Sequence, residues 1–487
     1  MTGPNVLFIA VDDLRTALGC YGDPNAITPN IDRLARRGMR FERAYCQQAV
    51  CNPSRASLMT GMRPDTLRVW DLKSHFRQEL PPERADLPQY GTGTHFRAAQ
   101  PDVITLPQWF RQHGYQARAA GKIYHGSPEM QDPASWSAPA VLNVIMKRDD
   151  GYVLPENHGP EGLNWPGPKM AATECADVPD NAYGDGKVAD AALEILDEIQ
   201  DQPFFLAVGF RKPHLPFSAP KRYWDLYDRD QITPPDHPTR PSGIPDYAWH
   251  HSVELRGYND IPKEGPLPDE LVRKLRHGYY ACVSYMDAQV GKLLDALDAR
   301  GLTENTVIVL WGDHGYHLGE KALWCKTTNY ELDTRAPLIL SVPGQAHVGE
   351  QTSALVEFVD VYPTLAEACG LPLPEHLEGL SLLPLLDDPD QPWKKAAFSQ
   401  FPRPWTYKGE PEVMGYTIRT ADYRYTAWLD FHTRATRAQE LYDHRQDAAE
   451  VHNVADDPAY RAQVEAHAQL LQTGWRAALP ERVQRKG

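Results

Sequence analysis

Three short apolar runs, each closing on polar residues, constrain this chain more than anything else in it. Asn5 to Val11 runs into Asp12-Asp13. Pro203 to Gly209 runs into Lys212-Pro213-His214. Asn305 to Trp311 runs into Gly312-Asp313-His314. Continuous apolar runs of this length predict buried strands. Two more follow the same logic: Tyr115 to Ala120, leading to Gly121-Lys122, and Pro337 to Val342. Helical stretches lie between them. Pro29 to Arg37 stops at Gly38. Thr105 caps a helix that Pro107 starts and Gly114 ends. Leu271 to Ala299 is long and amphipathic. This alternation predicts an α/β fold, a mostly parallel sheet flanked by helices. The polar residues then fall at strand C-terminal ends, where open α/β sheets bind ligands.

At 487 residues the chain is too long for one ordinary core. The expected division is a catalytic domain over 1–380 and a smaller α+β subdomain over 381–487. Gly415 to Thr420 and Tyr423 to Leu429 read there as short antiparallel strands, and Pro458 to Ala478 as a terminal helix. Residues 126–180 and 217–268, rich in Pro, Gly and Asp, are too long for plain connections. They are expected to be surface insertions that shape a pocket mouth.

Sixty-five acidic against 50 basic residues give a net charge of -15. No cation excess exists to neutralise a nucleic acid, although a local basic cluster can still hold a small anion. The apolar run near the start is too short to cross a bilayer and lacks a basic flank and a cleavage site. A cytoplasmic protein without a membrane partner is therefore expected. The cysteines at 20, 46, 51, 175, 282, 325 and 369 are odd in number and lack a CxxC pair, so neither a disulfide framework nor a zinc site is expected. Except for Cys51, each reads as a small buried apolar side chain.

Cys51-Asn52-Pro53-Ser54-Arg55 precedes Thr60-Gly61. Pro53 suits an early helix position and Gly61 a helix end, which sets Cys51 at a helix N-terminus. The positive field there should lower the thiol pKa and attract an anion. Arg55 falls one turn on. A buried cysteine beside a capped helix fits this stretch as well. Asp12, Asp13, Asp313 and His314, at two strand ends, could form an oxygen-rich site for a hard divalent cation, with His314 softening it slightly. Singly, each acid could equally cap a helix or solvate a loop. Lys122, His125, His214 and Lys326 could supply fixed positive charge and a proton source. Alone, each lysine could be a surface charge and each histidine a satisfied polar residue. No glycine-rich phosphate loop, GxSxG elbow or HExxH motif is present.

Cys-x-Pro-Ser-Arg with the downstream Thr-Gly resembles the signature of the formylglycine-dependent sulfatases, in the alkaline-phosphatase-like superfamily. Asn5 to Arg15 is similar to that family's first strand, and Glu440 to Val454 to its C-terminal segment. Gln48 to Cys51, Arg211 to Phe217, Ser284 to Leu293 and Gly312 to Glu320 resemble the iduronate-2-sulfatase branch. The Asp313-His314 pair and the two residues between Lys122 and His125 fit that branch too, where many relatives have Asp-Asn and GKWH. The resemblance implies that Cys51 is oxidised to formylglycine by a formylglycine-generating enzyme. It implies one Ca2+ ion held by Asp12, Asp13, Asp313, His314 and residue 51. Arg55 and Lys122 would surround the nucleophile and sulfate, and Lys122 with Lys326 would bind the sulfate. His125 would help the hydrated aldehyde break down, and His214 would protonate the leaving oxygen. The implied substrate is a small sulfate ester, a sulfated saccharide. Two alternatives stay open: a phosphomonoester or phosphonate hydrolase of the same superfamily, and a non-catalytic binding homologue. Asp71, Leu72 and Lys73 to Arg77 could line the substrate end.

Overall fold

The computed structural model describes residues 3–72, 100, 102–126, 131–141, 151–158, 170–405 and 410–484. Lys73 to Arg77 lie outside the described residues.

Seven strands form the main sheet, in the spatial order Gln351–Glu357, Met39–Tyr45, Leu338–Ser341, Thr306–Gly312, Asn5–Val11, Phe204–Phe210 and Gln116–Gly121. All run parallel except Leu338–Ser341, which is antiparallel to both neighbours. The mostly parallel sheet expected from the sequence is therefore present. Alternation sends Leu7, Ile9 and Val11 to one face, packed with Phe204, Leu206, Ile308 and Leu310. Val6, Phe8 and Ala10 face the other side, with Phe205, Val307, Val309 and Trp311. Both faces are covered, which is why these strands are apolar throughout.

Register places the chemistry. Val11 pairs with Phe210 on one side and with Gly312 on the other. Asp12, Arg211 and Asp313 therefore leave the sheet at the same level. At the neighbouring strand, Gly121 pairs with Gly209. A Cβ on Gly209 would lie 1.9 Å from the Lys122 carbonyl oxygen, so only glycine lets Lys122 turn across the sheet end.

The helix Pro29–Arg37 lies where expected, burying Ile31, Leu34 and Ala35. Its first backbone N–H groups, of Asn30 and Ile31, donate to Asp287 Oδ1 at 3.1 and 2.7 Å. Asp287 sits on the helix Asp269–Ala299, 31 residues long. Thr105 and Gln108 form a capping box for the helix Leu106–Gln112.

A second sheet is antiparallel, in the order Ala397–Arg403, Val413–Arg419, Tyr423–Asp430 and Thr436–Asp443. The helix expected over Pro458 to Ala478 is broken. It comprises a short turn Pro458–Tyr460, a helix Arg461–Thr473, and a turn Trp475–Ala478 after Gly474 at φ 86. Two buried ion clusters join this sheet to the main body. Arg424 binds Glu331 and Glu450, and Lys394 binds Glu357 and Asp360 at 2.8 and 2.6 Å.

The 217–268 stretch is not a purely superficial insertion. Phe217–Pro220 pairs with Thr173–Ala176, and Tyr223 and Trp224 are buried beside the long helix. All seven cysteines are free. Cys175 is exposed and Cys20 half-buried, against the expectation of burial. Among the described residues no helix is long and apolar enough to cross a membrane.

Candidate active site

Cys51 is the first residue of the helix Cys51–Thr60, every residue of which is buried, and Gly61 ends it in the left-handed region at φ 69. The Cys51 Sγ lies 3.2 Å from Asp12 Oδ1 and 3.5 Å from His314 Nε2. Asp13 takes a left-handed backbone at φ 59, and its N–H donates to Asp313 Oδ1 at 3.1 Å. His314 Nε2 is 3.4 Å from Asp13 Oδ1 and 3.5 Å from Asp313 Oδ1. Its Nδ1 lies 2.9 Å from the Gly315 carbonyl, which can only accept, so Nε2 is the nitrogen free to serve as a ligand.

Three carboxylates thus converge with an imidazole and residue 51. Asp12, Cys51, Asp313 and His314 could hold one ion, and Asp12 and Asp13 also group with His214. Among the described residues buried Asp13 Oδ1 has no hydrogen-bond partner. A buried carboxylate oxygen left unpaired beside two more acids fits a hard divalent cation. Burial lifts the Asp13 carboxyl to about 7; Lys326 opposes this and the Asp12 charge adds to it.

Three cations balance the three acids. Arg55 is fully buried. Its Nε donates to Asp313 Oδ2 at 2.8 Å and its Nη1 to the carbonyls of Lys122 and Ile123, at 2.6 and 3.1 Å. Lys122 Nζ donates to Asp12 Oδ2 at 2.5 Å, and Lys326 Nζ to Asp13 Oδ2 at 2.8 Å. Burial raises the Asp12 carboxyl, but Lys122 and the other surrounding cations outweigh it and leave Asp12 well below the ordinary range.

The thiol behaves opposite to the expectation from its helix position. Burial, reinforced by Asp12, pushes the Cys51 thiol well above its usual pKa. Two opposing carboxylates and full desolvation outweigh a helix-end field of about half a charge. An unmodified thiolate is therefore disfavoured here.

His125 and His214 are half-buried, whereas Asp12, Asp13, Cys51, Asp313 and His314 are fully buried. Burial and Lys122 push His125 well below its usual pKa, and its Nδ1 has no hydrogen-bond partner among the described residues. His214 lies between the cis peptides Lys212-Pro213 and Leu215-Pro216. Its Nε2 is 3.9 Å from Asp13 Oδ2, and burial with Lys326 lowers its pKa.

All ten residues picked from the sequence therefore meet at one sheet end or feel its charges. Three neighbours were missed. The Tyr279 hydroxyl donates to the Asp13 carbonyl at 2.9 Å. Lys212 Nζ donates to the carbonyls of His214, at 3.3 Å, and Pro216. Glu254 meets Lys326 and His214. Tyr279 and Glu254 lie on segments far from any strand end, so no local pattern marks them. Asp71, picked as a weak lining residue, is buried, and its carbonyl accepts from Asn52 Nδ2 at 2.9 Å.

Known proteins resemble this chain in sequence and fold. The sulfatase family model matches residues 4–371, and the C-terminal model of N-sulphoglucosamine sulphohydrolase matches residues 319–474. Iduronate 2-sulfatase of Mus musculus is 35% identical, over 93% of this chain and 91% of its own length. The fold matches a protein solved with its substrate D-glucosamine-2-N,6-O-disulfate, at TM-score 0.74 and 23% identity over 97% of each chain. It also matches the phosphonate monoester hydrolase of Agrobacterium radiobacter, at TM-score 0.75 and 23% identity over 96% of this chain and 95% of that one. With the profile spanning most of the chain and the acids, cations and cysteine gathered at one sheet end, the chain belongs to the sulfatase family and is a sulfuric ester hydrolase.

Proposed function

We propose that this sulfatase removes a sulfate monoester from a saccharide, the sulfated 2-position of a terminal uronate, using formylglycine made from Cys51. The observation that carries this reading is the burial of Cys51 against Asp12 and His314, where a thiolate is disfavoured and an oxygen nucleophile beside a cation is not. The 35% identity to iduronate 2-sulfatase supports the choice of sugar.

An aldehyde at position 51 would supply, as its hydrate, a nucleophilic oxygen and a second hydroxyl that allows sulfate to leave without water attacking sulfur. A divalent cation, calcium by its oxygen-rich donors, would be held by Asp12, Asp13, Asp313 and His314 and would draw charge from a sulfate oxygen. The protein's own side chains do the rest. Arg55 fixes Asp313 and the Lys122–Ile123 backbone in one geometry. Lys122 and Lys326 place two ammonium groups where charge spreads over sulfate oxygens. His214 Nε2 faces the open side and gives a proton to the departing alcohol oxygen. Neutral His125, with Nδ1 unpaired, accepts the proton lost when sulfate is expelled.

The test is turnover by matured enzyme across sulfated mono- and disaccharides, with nitrophenyl sulfate, nitrophenyl phosphate and a phosphonate monoester alongside. The expected ranking puts a uronate 2-sulfate first by kcat/KM. Higher kcat/KM on the phosphorus esters would favour a phosphonate hydrolase instead.

A further inference from the structure

The most solvent-facing acid of the site is one the catalytic scheme does not use. Glu254 comes from a single helical turn, Val253–Arg256, in the 217–268 stretch. Its Oε1 accepts from Lys326 Nζ at 3.0 Å and lies 3.3 Å from His214 Nε2. Its side chain keeps 25% of its exposure, against 2% for Lys326 and 0% for Asp13. Lys326 is thus spanned by two carboxylates, one deep and one at the opening.

We infer that Glu254 is a positioning residue for the leaving-group side of the reaction, holding Lys326 Nζ and His214 Nε2 together where the alcohol oxygen departs. This rests on the proposed role of His214.

The hydrogen bonds support it. His214 Nδ1 is 2.5 Å from the Leu215 carbonyl, which can only accept, so Nδ1 donates there. The acid role requires the doubly protonated ring, in which Nε2 carries a proton as well and that proton needs an acceptor of its own. The Glu254 carboxylate lies 3.3 Å from that nitrogen, against 3.9 Å for Asp13, with Asp12 grouped behind them. Asp13 is committed to the deep cluster and to Lys326. Among the described residues Glu254 is the partly exposed carboxylate beside Nε2, so it draws the Nε2 proton away from the buried acids. The loop carrying His214 is braced from behind. Lys212 Nζ binds the carbonyls of His214 and Pro216, and Asp185 accepts from the N–H groups of Arg211 and Lys212 at 2.9 and 2.8 Å. The ring therefore cannot swing away, and the carboxylate in front sets where its proton points.

In the step concerned, the bond from sulfur to the alcohol oxygen breaks and its electron pair stays on that oxygen. The sulfuryl group passes to a hydroxyl oxygen of the hydrated aldehyde at position 51, whose own proton goes to solvent as the bond to sulfur forms. The proton on His214 Nε2 moves to the alcohol oxygen, leaving a neutral alcohol and a neutral imidazole. An alkoxide needs that proton, whereas nitrophenolate leaves without it.

Leaving-group dependence separates positioning from mere structure. Matured wild-type, Glu254→Gln and His214→Asn enzymes are compared on a sulfated saccharide and on nitrophenyl sulfate. Glu254→Gln should lose about 30-fold in kcat on the saccharide and under about 3-fold on the nitrophenyl ester, a smaller copy of the His214→Asn pattern. Equal loss on both esters, or no loss on either, overturns the inference while leaving the His214 role intact. If His214→Asn itself fails to discriminate between the esters, the role of His214 falls and the inference with it. Unfolding midpoints within about 3 °C of wild type confirm that both variants are folded.

Discussion

Asp12 Oδ1 lies 3.2 Å from Cys51 Sγ, and Asp12 Oδ2 lies 2.5 Å from Lys122 Nζ. One carboxylate thus ties position 51 to the ammonium group proposed to meet sulfate. Asp12→Asn keeps the shape but halves this connection. It removes a cation ligand and leaves Lys122 buried without its partner, an arrangement that costs about 3–5 kcal/mol. The variant should lose at least about 1,000-fold in kcat/KM, combining a lost charge with a misplaced donor. Steady-state kinetics on nitrophenyl sulfate checks this.

Arg55 is not replaceable by lysine. Its guanidinium reaches one carboxylate and two carbonyls from a fully buried position. A lysine ammonium cannot span that fork. Arg55→Lys should lower the unfolding free energy by about 3 kcal/mol and kcat by about 100-fold. Chemical denaturation and single-turnover rates read the two effects separately.

Cation removal should be visible without any substrate. Three carboxylates in one buried cluster repel one another when the ion is stripped. Chelation should lower the melting temperature, and calcium at about 100 times its Kd should restore about 2.7 kcal/mol. Differential scanning calorimetry with and without chelator measures this. An unchanged melting temperature would mean that no ion binds there.

Acid should loosen the joint between the two sheets. Glu357 is buried; Arg63 and Lys394 overcome its burial and hold it at about 2, and Arg424 and Arg419 do the same for Glu331, also about 2. Both carboxyls are depressed in the folded state. Their contribution is therefore full above the unfolded value near 4.5 and is lost as pH falls from there toward 2. The melting temperature should drop steeply across that window. Glu357→Gln should be less stable at neutral pH and show a shallower acid slope.

Gly209 tests the placement of Lys122. Gly209→Ala would drive a methyl group into the Lys122 backbone, 1.9 Å from its carbonyl oxygen. The backbone there is packed between strands and cannot yield cheaply, so a loss of about 3 kcal/mol or insoluble protein is expected. Thermal unfolding of the purified variant decides it.

The sheet centre was legible because Asn5–Val11, Phe204–Phe210 and Thr306–Gly312 are buried on both faces and so are apolar at every position. Met39–Tyr45 and Gln351–Glu357 were not, because they lie toward the sheet edge, where Arg40, Glu42, Gln351 and Ser353 reach solvent and break the pattern. The acids were legible because register carries strand-end residues to one level, whereas Arg55 on a helix and Lys326 in a loop were picked out by the family resemblance. The direction of the Cys51 pKa was not, since a helix end predicts a lowered value and only the fold reveals Asp12 and Asp313 facing the thiol. Glu254 was illegible for another reason. It arrives from a stretch with no periodicity, and nothing in Val253–Arg256 distinguishes it from a solvated surface turn.

The central claim is an aldehyde side chain at position 51. Intact-peptide mass spectrometry of residues 44–63, from protein made in a host with the oxidising enzyme, tests it most directly. The account predicts a peptide in which oxygen has replaced sulfur and two hydrogens are gone, with turnover rising in proportion to the converted fraction. Full sulfatase activity from protein whose peptide carries only an intact thiol would contradict it.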